Sequence, residues 1–343
     1  MKLAKLTKQT FLFGLQLIIV SGLLGQGATK VASSAGQFLK IGVGSSAAAM
    51  GGAYTSVASD ASSIYWNPAG LAKIEYNQVM FTHIDWLVDI SYDYIALGVK
   101  LNSSASVGLF AATLQVPKDE VRTVQEPEGT GEFFEAGDLA VGVSYARNIS
   151  DKFSVGVVGK FIQETIWSMT STALAVDVGT LYRSSWNDLT IGIVLNNFGT
   201  PLKLSGRANL IYVDPDPSIE GNIETIRAEL EMNNWDLPMN LTTSLSATPI
   251  NNGHLALTTA IDMVHPNDNN EYFNAGGEIA FRNMLFLRSG YQGFGQENKE
   301  GGLAFGGGLN IKINNMTNLK VDYALSDYGR LKDVHQFSLV IGF

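Results

Sequence analysis

The feature that most constrains this chain is an alternation of apolar residues with small or polar residues, which begins near residue 77 and continues to residue 343. In LAVGVSYA (139–146), for example, Leu139 and Val141 share one face while Ala140 and Gly142 share the other. A period of two places successive side chains on opposite faces of a β-strand. Each segment runs for about ten residues, the length of a tilted strand that crosses a membrane. The pattern therefore predicts membrane-spanning strands with one lipid-facing side.

About fourteen alternating segments can be counted, and an even number of antiparallel strands is typical of a closed barrel in the bacterial outer membrane. The sequence thus predicts an all-β fold, a transmembrane antiparallel β-barrel formed by residues 77–343. The predicted strands span residues 77–87, 90–101, 105–115, 137–147, 153–166, 172–183, 188–197, 239–248, 254–263, 272–281, 285–293, 301–312, 317–327 and 334–343.

The connections between these segments alternate in length, which gives a second argument for a barrel. Turns such as RN (282–283) are short, whereas the links at 116–136, 166–171 and 198–238 are longer and more polar. Outer-membrane barrels have short periplasmic turns and long outer loops, so we expect both chain termini in the periplasm. A soluble β-sandwich also contains many strands and stays an alternative, although it gives no reason for loop lengths to alternate.

The first 26 residues are typical of a secretory signal peptide. Three lysines, Lys2, Lys5 and Lys8, precede an apolar run over residues 11–24, and small residues follow it, in the order of a cleavable signal. A permanent anchor helix is the alternative, but the run is shorter than the roughly 20 residues that a spanning helix needs. Removal of residues 1–26 leaves 20 basic residues (23 − 3) against 32 acidic ones. That balance disfavours nucleic acid as a partner.

Residues 27–76 do not alternate and are rich in Gly, Ala and Ser, with little charge. So short a segment is too small to form a strong core of its own. Small side chains could instead pack closely inside a wide barrel lumen. We therefore predict that residues 27–76 form an N-terminal plug, or hatch, ahead of the barrel.

Part of this segment resembles a known family. GVGSSAAAMGGAYTSVASDASSIYWNPAGL (42–71) is similar to the N-terminal signature of the PorV/PorQ family of outer-membrane proteins, which is related to the FadL-type channels. The segments 82–94, 127–147 and 195–199 also resemble family segments. The resemblance implies a fourteen-stranded barrel with an N-terminal plug. The plug residues that carry it are Gly51, Gly52, Asp60, Asn67 and Pro68.

The resemblance also implies a function. PorV-like members serve the type IX secretion system and meet cargo proteins at the outer membrane, and PorQ-like members sit in the attachment complex of that system. We therefore expect a barrel in the lipid bilayer that binds cargo proteins or a partner of a secretion and attachment complex through its outer loops. The alternative is a FadL-like channel that takes up hydrophobic small molecules through a gap in the barrel wall. A purely structural barrel or an adhesin is a third interpretation.

The long loops and the last residue supply the remaining candidate residues. A loop of about forty residues, such as 198–238, is uncommon without a role of its own, and the spacing of its apolar residues predicts a short amphipathic helix over 223–232. Terminal Phe343 is similar to the assembly signal of outer-membrane barrels. The candidate partner-binding residues are Glu128, Glu132, Asp214, Asp216 and Trp235.

The sequence carries no motif for catalysis, a cofactor or a metal. It has no cysteine and four histidines, none of which has a second ligand at metal-binding spacing. Gly42, Gly44 and Ala47 spell GxGxxA, but the strand and helix that flank a dinucleotide site are missing. We therefore expect a protein that is not an enzyme and that needs no cofactor.

Overall fold

The computed structural model describes residues 33–186, 188–214, 225–296, 299–314 and 317–343. Within these ranges, fourteen long strands form one antiparallel sheet that closes on itself. The last strand pairs with the first, from Gln78 opposite Gly342 to Asp85 opposite His335. The predicted antiparallel barrel of fourteen strands is confirmed. The predicted signal peptide and the first residues of the predicted plug, 27–32, lie outside the described residues.

The barrel strands are numbered here in chain order. They are β1 Gln78–Asp85, β2 Ser91–Lys100, β3 Ala105–Gln115, β4 Ala136–Ser150, β5 Phe153–Ile166, β6 Met169–Arg183, β7 Thr190–Gly199, β8 Asn240–Asn251, β9 Leu255–Pro266, β10 Tyr272–Phe281, β11 Leu285–Phe294, β12 Leu303–Lys312, β13 Asn318–Asp327 and β14 Asp333–Gly342.

The other elements are short. Two α-helices, α1 Ser45–Ala49 and α2 Ser63–Trp66, precede the barrel, and 3₁₀ turns span Gln37–Lys40, Pro68–Lys73, Leu87–Asp89, Arg207–Asn209 and Gly329–Leu331. Two small hairpins pair Asp119–Glu120 with Phe133–Phe134 and Leu210–Val213 with Ile226–Glu229, while Ser205–Gly206 pairs with the start of β6. None of the described helices is long and apolar enough to cross a membrane.

The two faces of the wall differ in the way that the alternation predicts. In β4, the side chains of Ala140, Ser144 and Ala146 are buried against the lumen, whereas Val143 is 60% exposed on the outside. A soluble protein would turn its large apolar side chains inward. An apolar outer face is instead the surface that a barrel presents to lipid.

The connections separate into two rims. The short-turn rim carries turns such as residues 151–152 and 282–284, and the long-loop rim carries 116–135, 200–239, 267–271 and 295–302. One prediction of a longer link, residues 166–171, is wrong. Ile166 pairs directly with Met169, and Trp167 takes the left-handed conformation (φ 53°) that a tight two-residue hairpin turn needs.

The helix predicted over 223–232 is also wrong where the chain is described. Ile226–Glu229 is a strand that pairs with Leu210–Val213, and residues 223–224 lie outside the described ranges. An isolated helix of about ten residues is marginal in water, and here Ile226 and Leu230 are exposed rather than packed. Strand pairing satisfies the backbone hydrogen bonds that such a helix could not keep.

Residues 33–77, called the inner segment below, lie inside the barrel. Val43, Met50, Ile64 and Leu71 are at most 1% exposed. The larger of two apolar clusters joins inner-segment residues to inward side chains of the wall such as Ile162. The main core of the molecule is therefore the contact between the inner segment and the wall.

Candidate functional site in the lumen and at the long-loop rim

The inner segment passes through the lumen from one rim to the other. At the long-loop rim, Ser34 Oγ donates a hydrogen bond to Asp268 Oδ2 (2.5 Å). At the short-turn rim, just before β1 begins, Tyr76 Oη accepts one from Asn318 Nδ2 (2.7 Å). Phe343 also lies at the short-turn rim, where its backbone N–H donates to Asn77. The first described residues and Phe343 therefore lie at opposite rims.

Between the rims, side chains of the wall bind the backbone of the inner segment. Ser45 N donates to Ser338 Oγ (2.8 Å), and Tyr54 N and Thr55 N both donate to the buried carboxylate of Asp262 (3.2 and 3.0 Å). Irregular backbone that leaves water must find such partners, because an unpaired buried N–H is costly. The wall thus supplies the hydrogen bonds that the inner segment cannot make within itself.

Gly51 and Gly52 lie where the inner segment passes close to the wall. Both are left-handed (φ 63° and 75°), a conformation that glycine adopts at little cost. A Cβ atom on Gly51 would lie 2.5 Å from Tyr291 N, and one on Gly290 would lie 2.1 Å from the carbonyl carbon of Met50. Glycines on both sides therefore allow the two backbones to touch.

Asn67 and Pro68 form a second fixed point. Asn67 is fully buried, and its Nδ2 donates to the carbonyl oxygens of Thr55 and Thr180 (both 3.1 Å). Its Oδ1 accepts from Ala69 N (3.1 Å) and so caps the 3₁₀ turn that begins at Pro68. One side chain thus joins two parts of the inner segment to strand β6.

Asp60 contributes to a network of charges in the lumen. Its Oδ2 lies 3.5 Å from Lys320 Nζ. Lys320 also lies 3.6 Å from Asp322, and Arg288 contacts both Asp322 and Glu278 at 2.6 Å. Buried charges need close partners of this kind, since removal of one partner leaves the other uncompensated. Asp60 is the inner-segment member of this wall network.

A cavity of about 1320 Å³ lies at the long-loop rim, above the inner segment, and is called the mouth below. Residues 34–41 line it, together with long-loop residues. Trp86 and Tyr328 form one part of its wall, with their rings edge to face and the centroids 5.3 Å apart. Two cavities deeper in the lumen are much smaller, at about 40 and 80 Å³. The wide part of the lumen is therefore the mouth.

The mouth carries opposite charges on different parts of its lining. Asp138 and Glu164 are cross-strand partners on β4 and β5, and Glu164 accepts a hydrogen bond from Gly36 N (2.7 Å). Lys299 comes from the 295–302 loop. Among the described residues, neither Asp138 nor Lys299 has an ion-pair partner. The lining of the mouth therefore includes an acidic and a basic side chain that no described residue pairs.

Two loop residues at the long-loop rim have shifted pKa values. Burial alone would raise the pKa of Asp268, but hydrogen bonds from Gln37, Ser34 and Lys40 outweigh it and lower that pKa below its usual value. Burial lowers the pKa of Lys299 to about 8, because desolvation disfavours the charged ammonium. Asp268 is therefore held as a carboxylate, whereas Lys299 titrates near neutral pH.

The predicted partner-binding residues are spread over two loops. Glu128 and Glu132 are exposed in the 116–135 loop. Trp235 lines the mouth and is 48% exposed. Asp214 follows the strand Leu210–Val213, and Asp216 lies outside the described residues. The structure thus brings Trp235 to the mouth and leaves Glu128 and Glu132 on another loop of the long-loop rim.

No group of three or more His, Asp or Glu side chains in the described ranges is arranged to hold a metal ion. The arrangement instead offers contacts to a polymer or a lipid: a wide mouth, exposed loops and an apolar outer wall.

The family model of the type IX secretion system protein PorV matches residues 25–204, which is 180 of 343 residues. The chain belongs to the PorV family. No curated protein matches the chain. Together with the closed barrel and its apolar outer face, this family membership identifies the chain as an outer-membrane β-barrel.

Solved barrels share the fold of this PorV-family protein. A structure titled CymD monoaromatic hydrocarbon channel is 13% identical with a TM-score of 0.57, over 88% of this chain and 98% of that one. A Pseudomonas aeruginosa FadL homologue is similar as well, at 11% identity and a TM-score of 0.54 over 88% of this chain and 98% of that one. So is the Ralstonia pickettii toluene transporter TbuX, at 14% identity and a TM-score of 0.53 over 88% of this chain and 97% of that one. At these identities the likeness concerns the fold.

Several residues of the PorV-family site were missed by the sequence prediction. Asp268 binds the first described residues of the inner segment, and Arg288 belongs to the charge network in the lumen, yet neither lies in a recognisable motif. The alternation could have indicated Arg288, because its parity in β11 places it on the inward face beside small residues. Asp268 lies in a loop, where no periodicity points to it.

Proposed function

We propose that this PorV-family barrel is a component of a protein secretion and attachment system and that it binds cargo or a partner protein at its long-loop rim. The mouth carries this proposal. It is wide enough to receive part of a folded protein, its lining includes charged side chains that no described residue pairs, and the inner segment lies directly beneath it. Family membership supports the same function.

In this proposal the inner segment acts as the plug, with residues 27–32 as its continuation. Its close contacts with wall glycines and its buried hydrogen bonds favour a segment that stays in place. The deeper cavities of about 40 and 80 Å³ are too small for a polypeptide. These features favour docking at the rim over passage along the barrel axis.

We further propose that the short turns and Phe343 face the periplasm, as in other outer-membrane barrels. Phe343 would then support assembly, since β14 closes the barrel by pairing with both β1 and β13. The first described residues would lie at the outer mouth. The expected periplasmic position of the N-terminus concerns residues before Ser33, which lie outside the described ranges.

The contacts to the partner would come from the two longest outer loops. Trp235 would form an apolar contact at the mouth, because large exposed aromatic side chains contribute strongly to interfaces. Glu128, Glu132, Asp214 and Asp216 would add charge that steers a basic surface toward the rim.

A pull-down from outer membranes tests this function. The tagged barrel is extracted in mild detergent, and co-purifying proteins are identified by mass spectrometry. We expect secretion partners or secreted cargo to co-purify with the wild type and with Trp186→Ala, which alters an exposed tryptophan at the short-turn rim. Trp235→Ala should recover less of the same proteins. Equal recovery with both variants, or a barrel recovered alone, would contradict docking at the long-loop rim.

A second candidate is a channel for hydrophobic molecules, as the titles of the similar structures describe. One observation favours it. The ladder between β6 and β7 is interrupted between Val176 and Val178, where Asn197 is left-handed (φ 60°). Lys160 and Asn197 N both bind the Asp177 carboxylate there, at 2.8 and 2.7 Å. These contacts fill the interruption.

Toluene uptake into vesicles that contain the barrel tests the channel. If the interruption is a closed gate, Lys160→Ala should increase uptake relative to the wild type. Unchanged uptake at the level of empty vesicles in both proteins would exclude the channel.

A further inference from the structure

The outer face of β3–β7 carries a trough that crosses five strands. Two rows of outward side chains form its walls, and a row of inward residues between them forms its floor. One wall is Leu109, Val143, Gly159, Val176 and Phe198; the other is Val141, Phe161, Leu174 and Thr200; the floor is Phe110, Gly142, Lys160, Ala175 and Gly199. The trough has a volume of about 1010 Å³.

Gly159 interrupts one wall and widens the trough at that point. It faces outward between Val143 and Val176, its partners on β4 and β6, and an added Cβ would meet no atom within 4 Å. Side chains on either side of it stand out from the wall, since Val143, Leu174 and Phe198 are each at least 60% exposed. The missing side chain therefore leaves a concave site between projecting apolar groups.

The trough offers no free charge to a ligand. Lys160 is the charged residue of its lining, but its ammonium is buried and bound to Asp177 at 2.8 Å, with a further hydrogen bond to Asn197. The other lining residues are apolar or small apart from Thr200. A ligand would be recognised by apolar contact and shape alone.

We propose that the trough binds one acyl chain of an outer-membrane lipid. The trough lies on the lipid-facing side, so hydrocarbon is the medium that reaches it. Four spacings between five strands give the trough a length of about 19 Å across the strands. Because the strands are themselves tilted by about 35–45°, a chain in the trough lies oblique within one leaflet of roughly 15 Å. The inference does not depend on the secretion function, since it concerns the outer wall and not the mouth.

Filling the trough tests the proposal. Gly159→Phe places a ring in open space, so the barrel should still fold, and Gly277→Phe is the matched control. Gly277 also faces outward, and its nearest atom to an added Cβ is Thr258 O at 3.7 Å. Barrels are washed in mild detergent, and the lipids that stay bound are quantified by mass spectrometry. We expect Gly159→Phe, and not Gly277→Phe, to lower the amount of bound lipid, because the ring takes the space in which an acyl chain would make its packing contacts.

A phosphatidylethanolamine with a photoreactive diazirine in its acyl chain provides the second measurement, on the unmodified barrel in vesicles. Adducts should concentrate on Val143, Phe161 and Leu174. Adducts spread evenly around the outer face would mean ordinary annular lipid and would overturn the proposal. Equal lipid retention in the two glycine variants would overturn it as well.

Discussion

Asn67 of the inner segment lies directly against Gly179 of strand β6. A Cβ atom added to Gly179 would approach Asn67 Oδ1 to 2.1 Å. The same relationship recurs along the inner segment: an added Cβ on Gly156 would meet Pro68, and one on Gly276 would meet Met50. Inward glycines of the wall therefore define the path of the inner segment, because a close backbone approach excludes a side chain.

We predict that Gly179→Ala displaces Asn67 and weakens its hydrogen bonds to Thr55 and Thr180. Overpacking together with lost buried hydrogen bonds should lower the free energy of unfolding by about 2 kcal/mol. Denaturant unfolding in detergent micelles measures the change. Gly277→Ala is the control, since its outward position has space for a methyl group. Equal stability of the two variants would show that the contact with Asn67 is not tight.

We predict a larger effect for Asp322→Asn. Asp322 is the shared partner of Arg288 (2.6 Å) and Lys320 (3.6 Å), so its neutralisation leaves two buried cations with less compensation. Loss of one member of a buried pair typically costs about 3–5 kcal/mol. The same unfolding measurement applies, with Asp333→Asn at an exposed position as the control. A loss below about 1 kcal/mol would mean that water in the lumen screens these charges.

The barrel could be predicted from the sequence because its information is local. Within each strand the alternation assigns side chains to the two faces, as it does for Val143 and Ser144. The number of strands and most of the links follow from counting the alternating segments. The two local errors also have physical causes. Trp167 is not a residue type that indicates a tight turn, although it adopts the left-handed conformation there. The helical spacing around Ile226 predicts a helix, but this part of the loop instead pairs with a second strand of the same loop.

The lumen contacts could not be predicted in the same way. Ser45 and Ser338 are 293 residues apart in the chain, and no pattern in the Gly-, Ala- and Ser-rich segment indicates which strand it meets. Resemblance to the family pointed to Asp60 and Asn67, but not to their partners Lys320 and Thr180. The mouth is formed by several loops together, so its charges are recognised only after the barrel closes.

The contact of the inner segment with Asp268 should weaken only at acidic pH, below about 3.8. The folded pKa of Asp268 lies below the ordinary value of 3.8, so its stabilising contribution is complete above about pH 3.8. It is lost as the pH falls through the folded pKa. Amide hydrogen-exchange protection of residues 33–41 should therefore stay constant from pH 7 to 5 and fall below pH 3.8. In Asp268→Asn, protection should already be low at pH 7. A wild-type loss between pH 7 and 5 would contradict this account.

Lys299 should make the stability of the barrel depend on pH in the neutral to alkaline range. Its folded pKa is about 8 against an ordinary 10.5, so the buried ammonium destabilises the folded barrel below pH 8, and this effect disappears as the pH rises toward 10.5. We predict that Lys299→Met raises the unfolding midpoint at pH 7 and changes it little above pH 10.5. Lys332→Met, at an exposed loop position, should change it at neither pH. A lower midpoint for Lys299→Met at pH 7 would mean that the ammonium has a stabilising partner in the mouth.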